Sequence, residues 1–136
     1  MSYKSLFTAL WSIAEGLGYT PTLGCDLHRT LIESGFPIAS FGLAEITSME
    51  GHRDPRREYE VVVKFMCSSV VGAPQRSEAI GSLMESAGRF VALLEEAPTV
   101  AAVELLELKP EERLMTVAGE CAVSLKIRVE SLECSN

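Results

Sequence analysis

Two runs with strict period-two alternation constrain this chain most. In EYEVVVKFMCSS, Glu58 to Ser69, one alternate set is Tyr59, Val61, Val63, Phe65 and Cys67. The other set is Glu58, Glu60, Val62, Lys64, Met66 and Ser68. Near the C-terminus, Val117, Gly119, Cys121, Val123, Leu125, Ile127 and Val129 alternate with Thr116, Glu120, Ser124, Lys126, Arg128 and Glu130. Successive side chains of a strand point to opposite faces, so each run reads as a long strand with one apolar and one mixed face. The mixed face carries Val62, Met66, Ala118 and Ala122 among its charges. Apolar residues on a face expected to meet water point to an interface there, with another copy or another protein.

The rest of the chain supplies partners for these strands. Tyr3, Leu6, Phe7, Leu10, Ile13, Ala14 and Leu17 follow helical spacing, with Trp11 beside the stripe and Gly16 and Gly18 as stops. GYTPTLGCDLHRTLIESGF reads as a loop followed by a short helix capped by Asp26. Pro37 opens an extended run, PIASFGLAEITSME, and GHRDPRR turns it back into the strand of Glu58–Ser69, giving a hairpin. Pro74 and Ser77 start a second long helix with the stripe Ile80, Leu83, Met84, Ala87, Val91 and Leu94. Its Gly81 and Gly88 suggest a close approach of the sheet. TVAAVELLELKP reads as a strand by composition, with helix as a rival, and pairs with the closing strand in a second hairpin.

The expected order is α-β-β-α-β-β. That implies a single α+β domain over residues 1–136, a two-layer sandwich with an antiparallel or mixed four-stranded sheet and two helices on one face. A chain of 136 residues buries a sufficient core without staples.

Charge and composition narrow the functions. The net charge is −7, so nucleic-acid binding driven by counterion release needs clustered bases. The one dense cluster is Arg53, Arg56 and Arg57 at the hairpin tip, readable as a solvated loop or as a contact with acids on a neighbour. No window approaches the roughly 20 apolar residues of a membrane span. The N-terminal run reads as a mature helix rather than a signal peptide, since Glu15 stands where small residues would be cleaved, and the protein is expected in the cytoplasm.

Catalytic signatures are not visible. There is no GxxxxGK[ST], GxGxxG, HExxH or GxSxG. Cys25 with His28 or His52 makes a nucleophile pair that nothing orients, and a surface histidine is the plainer reading of His28. Four cysteines without a CxxC do not suggest zinc, and Cys67 and Cys121 fall on the apolar faces of their strands as small hydrophobes. No enzyme activity, metal or cofactor is expected.

The layout of helix, ESGFPIASF leading into a strand, polar hairpin tip, EYEVVVKF, the SLMESAGRF helix and the long closing strand resembles the tail terminator (tail completion) proteins of long-tailed bacteriophages, the lambda type in particular. The resemblance spans nearly the whole chain. It implies a ring, commonly a hexamer, that caps the tail tube, stops its polymerisation and docks to the head connector. The partners would be further copies of the chain, the tail-tube protein and the head-connector protein, with no cofactor and no catalysis. The setting would be the bacterial cytoplasm during assembly of a phage or prophage, and then the virion tail. A ring needs two different complementary surfaces on each protomer. A negative lumen would pass DNA without holding it. The alternatives are another neck or tail-tube component, or a dimeric effector chaperone of type III secretion. The chaperone plan expects a further strand before the second long helix and a C-terminal helix, whereas here the last strand runs into ESLECSN.

Overall fold

The computed structural model describes residues 3–49, 56–68, 72–111 and 120–132. Helix α1 covers Tyr3–Gly16, β1 Thr20–Leu23, and α2 Leu27–Ser34 after a 3-10 turn at Gly24–Asp26. Then come β2 at Ile38–Phe41, β3 at Glu45–Met49, β4 at Arg56–Cys67, α3 at Ala73–Glu95, β5 at Val100–Pro110 and β6 at Cys121–Leu132. The fold is α+β, with three α-helices among the described residues and a mixed sheet in the order β1-β2-β4-β6-β5. β3 continues the line of β2 along the same edge of β4.

Both long strands form as the alternation requires. β4 and β6 pair antiparallel along their whole length, from Arg56 opposite Leu132 to Cys67 opposite Cys121. Tyr59, Val61, Val63 and Phe65 on β4 and Cys121, Val123, Leu125, Ile127 and Val129 on β6 are fully buried on the inner face. The hairpin before β4 is antiparallel as expected, and its tip, residues 50–55, lies outside the described residues. Between β2 and β3 the chain bends at Gly42–Ala44, and the Gly42 N–H still donates to the Val62 carbonyl at 3.0 Å. β5 is a strand rather than a helix, with irregularities after Val100 and after Leu105.

Helices α1 and α3 cover the inner face. Leu6, Leu10 and Ala14 from α1 and Leu83, Ala87, Phe90 and Leu94 from α3 are buried in one core with the β4 and β6 residues. Phe90 was absent from the expected stripe, yet it packs edge-on against Phe65 at 5.6 Å and tilts against Phe41 at 6.2 Å. Burying such a ring contributes roughly 2–3 kcal/mol. Gly81 and Gly88 do not serve a close sheet approach, because a Cβ at either would meet open space. They leave α3 weaker by about 1 kcal/mol each relative to Ala.

The four-strand, two-helix plan needs correction in two places besides the division of its first strand into β2 and β3. Residues 20–23, expected in a loop, form β1 parallel to β2. Pro21 is compatible with that position because β1 is an edge strand, where a missing N–H need not break the ladder. The second correction is α2. It lies on the opposite face of the sheet from α1 and α3, so one end of the sheet is covered on both sides. Asp26 makes no side-chain cap bond to α2 and instead pairs with Arg29 at 3.5 Å. Gly35, at φ 70°, ends the helix in a backbone conformation that side chains rarely tolerate.

Candidate interaction surface

The outer face of the sheet has two unlike ends. At one end Ile38, Met66 and Ala122 stand in a row across β2, β4 and β6. Leu27 of α2 closes over them, with Leu31 and Phe36 alongside. The Thr22 and Thr30 hydroxyls, 2.7 Å apart, tie β1 to α2. Met66 is therefore 0% exposed and presents no surface in this chain. The alternation placed it on the right face, and α2 takes it out of contact with water.

At the other end the outer face is a lattice of ion pairs. Glu60 meets Lys126 at 2.9 Å, Glu104 meets Arg128 at 3.0 Å, and Glu107 meets Lys109 at 2.8 Å. Lys64 reaches Glu111 at 3.3 Å. The hydrogen bond to Glu60 raises the Lys126 ammonium above its ordinary value, and the bond from Lys109 lowers the Glu107 carboxyl. Val62 sits half-buried in this charged field, opposite Lys126. Arg57 is half-buried beside the hairpin tip, Arg56 opens β4, and Arg53 lies outside the described residues, as does Ala118.

An apolar groove lies elsewhere, along α1. Phe7 and Trp11 of α1, Leu23 of β1 and Leu43 of the β2–β3 bend line a groove of about 600 Å³. Leu6, Leu10 and Ala14 turn fully into the core, so Phe7 and Trp11, one position further round the helix, reach the surface half-buried. Their floor is Phe41: Trp11 stacks on it at 5.8 Å and Phe7 meets it edge-on at 6.4 Å. Phe41 in turn leans on Phe90, so the groove floor is continuous with the core. Leu43 is 73% exposed at the rim. Lys4 and Glu15 mark the two ends, with Thr8 and Ser12 between them.

Sequence reading treated the α1 stripe as core and so missed this groove. Its one visible signal was Trp11 standing beside the stripe. The groove also needs Leu23 and Leu43, which only the fold brings to α1.

Cys25 and His28 are exposed, and His52 lies outside the described residues. Among the described residues no group of His, Cys, Asp and Glu is gathered as metal ligands would be, and no helix is long and apolar enough to cross a membrane. Compared with models of known protein families and with characterised proteins, the chain matches none.

Proposed function

We propose that the protein is a structural assembly subunit, a ring-forming terminator of a phage tail tube whose copies join head to tail through the α1 groove. One observation carries this reading: the chain has two unlike apolar surfaces, the α1 groove and the exposed Leu105, towards opposite edges of its sheet. The groove lies beside β1 and β2. At the far edge, four strand spacings or roughly 19 Å away, β5 presents Leu105, 55% exposed. A closed ring requires such a pair of different surfaces on every copy.

The lengths match as well. Along the groove, α1 runs from Lys4 to Glu15, roughly 16 Å at 1.5 Å per residue. Along the β5 edge, the chain runs from Glu104 past Leu105 to Lys109, again roughly 16 Å at 3.3 Å per residue. Glu104 and Lys109 lie on the outer face with Arg128 and Glu107, whereas Leu105, opposite Ile127, lies on the inner face and is the side chain offered to the apolar floor. The ring's docking to a tail tube and a head connector rests on the family resemblance.

The test is mass in solution by light scattering across a concentration series. The expected result is a ring near six copies at high concentration, lost in Leu43→Asp and in Leu105→Glu, with both variants folded. A monomer at every concentration removes the proposed contact.

A second reading is favoured by one specific observation. The strand β1, unexpected from sequence, supplies the additional strand before the second long helix that a type III effector chaperone calls for. In that reading the α1 groove holds an unfolded segment of the effector. A tight dimer at every concentration, unaffected by Leu105→Glu, selects it.

A further inference from the structure

Cys67 ends β4 and Cys121 begins β6, and the strand register sets them directly opposite each other. The Cys121 thiol is near enough to push the Cys67 thiol further up, after burial. Opposed residues on antiparallel strands have Cα atoms roughly 4.5–5.5 Å apart, inside the roughly 4.4–6.8 Å range that a disulfide spans. Both side chains sit on the inner face, with Cys121 fully buried and Cys67 partly exposed.

We propose that Cys67 and Cys121 are a disulfide modification site, oxidised by a small-molecule disulfide such as glutathione disulfide. Cys67 is the attacking group, because it is the one that solvent reaches. Its thiolate forms a bond to one glutathione sulfur and breaks the glutathione S–S bond. The released glutathione thiolate takes up a proton. Cys121 then loses its proton, attacks the Cys67 sulfur and expels the second glutathione. Two protein thiols become one disulfide, and one glutathione disulfide is reduced to two glutathione thiols. Burial pushes the Cys67 thiol up and the nearby Arg76 guanidinium of α3 pulls it back, so the first attack is slow near neutral pH.

The new bond would close the segment Ser68–Glu120, which holds α3 and β5, onto the β4–β6 ladder. It would restrict the unfolded chain more than the folded one. Among the described residues no other two cysteines are set opposite each other in this way. Cys25 is exposed in the 3-10 turn, and Cys134 lies outside the described residues.

The full chain would be incubated with glutathione disulfide under native conditions, alkylated and mapped by peptide mass. The expected result is an intramolecular Cys67–Cys121 link, with the protein two hydrogens lighter once glutathione on other cysteines is discounted. The guanidinium midpoint rises and dithiothreitol returns it. In Cys67→Ser, Cys121 stays reduced and the oxidant leaves the midpoint unchanged. The proposal fails if Cys67 is recovered only as free thiol or as its glutathione adduct, or if Cys121 is linked elsewhere. It also fails if the oxidant raises the midpoint of Cys67→Ser as much as that of the unaltered chain.

Discussion

Val62 and Met66 lie four residues apart on the same strand and the same face, and they meet opposite surroundings. Met66 is sealed beneath α2 with Ile38 and Ala122. Val62 stands among paired carboxylates and ammonium groups. A strand's alternation fixes which face a residue takes, but not what covers that face. Cover is decided by the chain that returns over the sheet, here a helix of eight residues.

This contrast breaks most readily at Met66. Met66→Glu places a carboxylate without a cationic partner in an apolar pocket and is expected to cost about 3–5 kcal/mol, read as a loss of denaturation midpoint. A variant as stable as the original chain would show that α2 does not close over the sheet. Thr30→Val strikes the same end more gently. It removes one hydroxyl of the Thr22–Thr30 pair and is expected to cost about 1 kcal/mol, with faster amide exchange in α2 than elsewhere. At the charged end the effects shrink. Lys126→Ala deletes the pairing with Glu60 and should lower the denaturation midpoint only slightly, an effect fading with added salt. Val62→Lys sets a second ammonium directly opposite Lys126 and should cost no more than about 1 kcal/mol. It should also leave the solution mass unaltered, since the proposed ring contact runs through the groove and not through this face.

The inner face has its own test, in pH. Burial raises the Cys67 thiol above its ordinary value of 9.0 and the Tyr19 phenol above 10.0. Below those values both groups are protonated in the folded and the unfolded chain alike, and their contribution is complete. As pH climbs past 9.0, the unfolded chain releases its protons first and stability falls. Melting temperature followed from neutral to alkaline pH should hold level and then decline.

What the sequence disclosed follows the same division. The inner faces of β4 and β6 were legible residue by residue, because alternation over a dozen positions has one reading. The stripes of α1 and α3 were legible in outline, although Phe90 escaped. β1 was not legible, since Thr20–Leu23 carries a proline and has no periodicity of its own; its strand character comes from lying parallel to β2. The sealing of Met66 and the groove were also hidden. Each joins residues distant in sequence: Leu27 with Met66 and Ala122, Phe7 and Trp11 with Leu23 and Leu43. Local pattern reports a residue's direction, whereas these features depend on its neighbours.

Trp11 is the sole tryptophan of the chain, and it stands in the groove with its ring stacked on Phe41. The protein thus carries an intrinsic optical probe at the place where a partner is proposed to bind. An occupant that strips water from the indole shifts its emission to the blue, and global unfolding shifts it to the red. Docking and denaturation therefore leave opposite spectral signatures in one unlabelled sample, and emission against concentration traces the proposed contact as it fills.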